Sequence, residues 1–171
     1  VFTFLSNLCD HGAKVGAATN MVDIFRGEIQ ATAEMLRRAH DEGTKLLCGS
    51  ESGFVLTPYG HWHGREVSLF VEHLDLDPLE AIRCATADNA LAMGAEGRLG
   101  LIEEGCAADV IVLDGDPVAD VGILGDRRHL GAVVSRGELV DLDRPWPEKG
   151  PIAGSAVGSW ASAKLTRDLV D

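Results

Sequence analysis

The spacing of apolar residues changes at Gly94, and that change constrains the fold more than any single motif. Upstream, apolar residues recur at helical intervals. Ile29, Ala33, Leu36 and His40 mark a helix over 28–42, with Glu34 and Arg38 paired on its exposed side and Gly43 ending it. Val67, Phe70, Val71 and Leu74 mark a second over 62–74. A third starts with Asp77 as cap, Pro78 in the first position and Glu80 three after the cap, and runs to Met93. Downstream of Gly94 the apolar runs are short. Residues 99–103, 108–113 and 131–140 read as strands, the last folded back at Arg136-Gly137.

Two apolar runs interrupt the helical half. Residues 1–5 and 44–48 read as buried strands, residues 6–26 as a long loop with one helical turn, 49–53 as a turn of small residues and 54–61 as a loop. The resulting strand–helix order implies parallel pairing through right-handed crossovers. Two strands cannot bury both faces of a parallel sheet, so this part belongs to something larger or is completed by another chain. From Asp141 the chain turns polar and rich in Pro, Gly and Ser, the signature of an irregular tail, with Trp146 and Trp160 as its means of packing on the body.

Composition narrows the partners. With 15 Lys and Arg against 27 Asp and Glu, the net charge of −12 repels phosphate backbones and anionic lipid, which argues against nucleic acid and membrane surfaces. Cys9, Cys48, Cys84 and Cys106 form no CxxC pair and suit free thiols in a reducing compartment, hence a cytoplasmic location. No 18-residue apolar span and no signal peptide is present, and the chain opens on Val1 within an apolar stretch, as a fragment would.

The chemistry concentrates in residues 46–66. In a barrel of alternating strands and helices, loops after the strands form the catalytic face, which puts Gly49-Ser50-Glu51-Ser52-Gly53 at the mouth. Glu51 is its only carboxylate, able to ligate a metal or take a proton, or simply a loop acid pairing with a nearby base. His61 and His63 would share a face if extended, but in a stretch leading into a helix they diverge. One of them then reaches the mouth to contact substrate, beside Tyr59, while the other is solvated. His11, His40, His73 and His129 read as bystanders, and Asp114-Gly115-Asp116-Pro117 as a turn that lacks the later ligands of a calcium loop.

The segments GSESGF, TPYGHWHGREVSLFVE, DPLEAIRCATADNALAMG, GRLGLIEEGCAADVIVLDGDPVADVGIL and GAVVSRGELV, in that order, resemble the C-terminal portion of the amidohydrolase superfamily, in its imidazolonepropionase-like and Xaa-Pro dipeptidase-like branch. The resemblance spans residues 44–140 and extends weakly to residues 1–5, in the place of a seventh barrel strand. It implies an α/β fold: strands seven and eight of a (β/α)8 barrel over 1–94, a small β-sandwich domain over 95–141 and a tail over 142–171. It also implies a divalent metal, usually zinc, whose hydroxide attacks the carbonyl of a small-molecule amide, urea-like compound or dipeptide, and a homo-oligomer. Glu51 falls where the family has an aspartate that ligates the metal and shuttles a proton. Ser52, Tyr59 and His63 fall in a region that lines the substrate pocket. The family's remaining metal ligands precede the segment matched here, so most of them are expected outside this chain. Two readings from other classes stand beside this one: a non-catalytic amidohydrolase-like assembly module, and an ion-binding module at His61 and His63.

Overall fold

In the computed structural model, residues 2–144 and 161–170 are described. The packing suggested for Trp146 and Trp160 falls outside these residues. Five helices come first: α1 (Phe2–His11), α2 (Val22–Asp41), α3 (His63–Leu74), α4 (Pro78–Ala85) and α5 (Ala87–Ala92). Three strands follow: β1 (Val110–Leu113), β2 (Leu130–Ser135) and β3 (Glu138–Leu139). Short 3-10 turns connect them, and another closes the C-terminal segment at Arg167–Leu169.

Residues 2–5 are helical rather than extended, a correction to the sequence-based expectation. A strand needs a neighbour for its backbone groups, and the described residues provide none there; a helix satisfies them internally. The first amides of α1, which no helix can satisfy itself, donate to the buried carboxylate of Glu66, Phe2 N at 3.2 Å and Thr3 N at 2.8 Å. Residues 44–48, expected to form a strand, sit in no ladder. Cys48 N donates to the carbonyl of Cys84 (3.3 Å), and Asn89 Nδ2 donates to the carbonyl of Cys48 (2.8 Å). Residues 99–103 form turns, with Gly100 at φ 77°, instead of the expected strand. Residues 6–26, expected to be mostly loop, hold the rest of α1, two 3-10 turns and the first turn of α2.

The expected third helix is two. Asp77 Oδ1 accepts the amide of Leu79 at 2.9 Å, as its capping position demands. Glu80, instead of closing a capping box, pairs with His40 (3.1 Å). At Thr86 the backbone leaves the helix (φ −120°, ψ −90°). A Cβ on Gly100 would stand 2.6 Å from the Thr86 carbonyl, so the incoming 95–100 segment presses on the break.

All strand pairing among the described residues is antiparallel, in the order β1-β2-β3, with Val110 opposite Val134 and Val134 opposite Leu139. The β2–β3 turn has Arg136 and Gly137 at φ 53° and 83°, the two positive values that a tight primed turn needs. Two apolar clusters form the core. Phe2, Ile29, Ala33, Leu46, Val67, Phe70, Leu74 and Ala81 join α1–α4. Leu8, Val15, Phe25, Leu56, Trp62, Ala161 and Leu165 join α1, α2, the 54–62 loop and the C-terminal segment.

Candidate functional site

The 49–53 turn and the 54–62 loop lie against the N-terminus of α3. The turn is tightly tied. Glu51 takes a left-handed backbone conformation (φ 50°), uncommon for a residue with a side chain. Its carbonyl accepts from the hydroxyl of the fully buried Thr57 (2.8 Å), and Gly53 N donates to the Thr57 carbonyl (2.9 Å). The Glu51 side chain is exposed.

His63 joins the turn to the loop. Gly60 N–H donates to Nε2 (3.2 Å), so in the neutral ring the proton resides on Nδ1. Nδ1–H then donates to Ser50 Oγ (2.9 Å), with Ser52 Oγ at 3.2 Å and the two hydroxyls 2.8 Å apart. A base that activates a serine needs the opposite tautomer, with Nδ1 accepting. The Ser50–His63 pair is therefore a clasp and not a nucleophile with its base. Tyr59 is 63% exposed, and its hydroxyl end leans over Gly53, where a Cβ would meet it at 3.1 Å. Ser52, Tyr59 and His63 thus gather around the turn that carries Glu51.

The two neighbouring histidines face different partners. His61 Nδ1 accepts from the Arg167 amide (3.3 Å), whereas His63 holds the serines. Trp62 between them is 1% exposed and donates from Nε1 to the Leu165 carbonyl (2.7 Å). The other histidines sit in structural contacts. His11 stacks on Trp62 (5.8 Å between centroids), His73 lies against Phe2 (5.3 Å), and His129 Nδ1 is 2.9 Å from the Asp114 carbonyl.

A cleft of about 410 Å³ opens beside the clasp, lined by Cys48, Gly49, Ser50, His63, Val67 and Asn89 among others. Glu51, Ser52 and Tyr59 do not line it. Burial pushes the Cys48 thiol up to about 12, with the charge of Glu66 adding to the effect, so it stays protonated at neutral pH and is a poor metal donor. Among the described residues no three His, Cys, Asp or Glu side chains converge to hold an ion. Glu51 is one candidate donor; the described residues do not by themselves make a metal centre.

Sequence reasoning gave no contact to Ser50 or Glu66 and did not place residues 161–170 against the 54–62 loop. Ser50 carries no spacing signal. Glu66 does: it lies four residues before Phe70 and eight before Leu74, on the buried face of α3. The C-terminal segment bonds mainly through backbone groups, and its Ser162, Leu165 and Arg167 side chains form no periodic pattern.

The sequence model described as the amidohydrolase family matches residues 7–140. An ochratoxinase of Aspergillus niger is 33% identical over 134 residues, covering 78% of this chain and 25% of its own length. An imidazolonepropionase of Rubrobacter xylanophilus is 35% identical over 74 residues, covering 43% of this chain and 18% of its own. In structure, a prolidase solved with N-methylphosphonate-L-proline superposes with a TM-score of 0.67 at 31% identity, over 82% of this chain and 33% of that one. The chain spans about a quarter of the ochratoxinase it matches.

Proposed function

The chain belongs to the amidohydrolase family, and we propose on that premise that it forms the C-terminal part of a (β/α)8-barrel enzyme that hydrolyses C–N bonds in small amides, urea-like compounds or dipeptides. In this reading β1–β3 are part of a small β-sandwich beside the barrel. The relatives named for imidazolonepropionase and prolidase activity support the reaction class. The observation that carries the assignment to a residue is the Glu51 turn: an exposed carboxylate on a left-handed backbone, with both neighbouring hydroxyls clasped by one imidazole.

A divalent metal, zinc by the family resemblance, would polarise the scissile carbonyl and make water a nucleophile near neutral pH. Its ligands would come mainly from segments beyond this chain, with Glu51 as one contributor. This chain's own work is proton handling and positioning. Glu51 accepts a proton released as water attacks and delivers it to the departing nitrogen, which leaves as an amine. Ser52 and Tyr59 present hydroxyls to polar substrate groups, and His63 contributes its exposed ring edge while fixing the turn.

This chain alone, with most metal ligands outside it, is expected to be inactive, so release of free amine from an X-Pro dipeptide and an N-acyl amino acid by the whole enzyme that contains it, measured with zinc present and after chelation, tests the class. We expect amine release with metal, loss on chelation and recovery on adding zinc back. No release from any amide, urea or dipeptide tested, with metal supplied, contradicts the assignment. The exposed apolar residues Ile111, Val112 and Leu139 on the sheet favour a second reading, a non-catalytic assembly module. That reading predicts self-association without turnover.

A further inference from the structure

The described C-terminal segment, 161–170, lies beyond the residues that carry the family match, yet it grips the candidate site's loop from behind. Leu165 makes the central contact with both of its backbone groups. Its amide donates to the Val55 carbonyl (2.7 Å), and its carbonyl accepts from Trp62 Nε1 (2.7 Å). One residue therefore bridges the two ends of the loop that carries Tyr59. Its side chain is 0% exposed, in one apolar cluster with Leu56 and Trp62.

The segment is pinned on either side of that bridge. Upstream, the amide and the hydroxyl of Ser162 both donate to the Val15 carbonyl, at 2.6 and 2.8 Å. A Cβ on Gly16 would stand 2.6 Å from Ser162 Oγ, so this approach needs the glycine. Downstream, the Arg167 amide donates to His61 Nδ1 (3.3 Å), and its guanidinium lies 4.9 Å from the Trp62 ring centre. Within the loop the backbone ties are few: a Phe54–Thr57 bridge and a bond from His61 N to the Pro58 carbonyl. The loop's shape is set largely from outside.

We propose that residues 161–170 are a strap that positions the 54–62 loop, and with it Tyr59 and the Gly60 amide that holds His63, so that substrate binding depends on a segment outside the family match. The proposal rests on the reading above, in which this loop contacts substrate. Leu165 and Trp62 are positioning residues; neither touches the reacting atoms.

Hydrogen exchange on the full chain tests the positioning directly. In Trp62→Phe, which keeps a buried ring and removes the Nε1 donor, exchange at the Thr57 and His61 amides should quicken about tenfold, while Ala33 in α2 and Ala81 in α4 keep parental rates. Leu165→Ala should do the same and Leu165→Met should restore protection. Unchanged loop exchange in Trp62→Phe, or an equal rise in α2 and α4, overturns the proposal; if Leu165→Ala does not fold, Trp62→Phe decides it. In turnover by the whole enzyme that contains this chain, Trp62→Phe should raise KM about tenfold with kcat within about twofold, as lost substrate positioning does. A fall in kcat at constant KM contradicts it. A parent protein without C–N hydrolysis removes the proposed function alone, and the exchange comparison then decides the strap.

Discussion

Glu66 is a carboxylate on the apolar face of α3, and the N-terminus of α1 is what makes that position tolerable. It accepts from Phe2 N and Thr3 N and, at 2.5 Å, from the Thr3 hydroxyl. The positive end of a helix favours negative charge, and buried donors left without an acceptor are costly. Glu66→Ala should therefore destabilise the protein by about 3 kcal/mol, and Glu66→Gln by about 1 kcal/mol, since the amide keeps one acceptor. Chemical denaturation measures both; a loss below about 0.5 kcal/mol for Glu66→Ala would contradict the capping role. His11 gives a pH dependence at the same scale. Burial, and next the charge of Arg65, hold its pKa below the ordinary 6.5. The unfolded chain then takes up the proton first as pH falls. The stabilising contribution is complete above about pH 6.5 and is lost as pH drops from there through the folded value. His11→Gln should remove that component of the acid transition, visible by comparing denaturation midpoints at pH 7 and pH 5.

Among elements, the close approach of α3 to the 121–125 turn is the most exposed to a single change. A Cβ on Gly64 would lie 2.5 Å from the Leu124 carbonyl, a backbone atom that cannot swing aside. Gly64→Ala should cost about 2 kcal/mol by overpacking and shift amide signals on both sides of the contact. Unaltered signals at Leu124 and Gly125 would show that the approach is slack. The elements legible in the sequence were those whose causes are local. α3 follows from the spacing of Val67, Phe70 and Leu74, α4 begins where Asp77 and Pro78 require, and the β2–β3 turn falls at Arg136-Gly137. Residues 2–5 and 44–48 read as strands in sequence but form none, because β-rich composition describes a surface that fits a sheet, while a strand exists only where a partner strand lies beside it. The break at Thr86 lies against Gly100, distant in sequence. In the candidate site, spacing singled out Glu51 and the divergence of His61 from His63. The clasp on Ser50 and the strap across Trp62 are contacts between distant segments and had no local signal.

At the scale of the molecule, the helical half has its core and the sheet lies more open. Ile111 and Val112, neighbours on β1 whose side chains take opposite faces, are each about half exposed. No helix among the described residues is long and apolar enough to cross a membrane. The chain covers a quarter of the ochratoxinase it matches. One carboxylate of the chain, Glu51, carries the proposed chemistry. The direct test is kcat at saturating amide substrate for Glu51→Gln against the parent, in the whole enzyme that contains this chain and with the fold confirmed by its denaturation midpoint. The expected result is a fall of about 10²-fold or more with KM little changed, the scale of losing a general acid–base. Turnover equal to the parent's would contradict it.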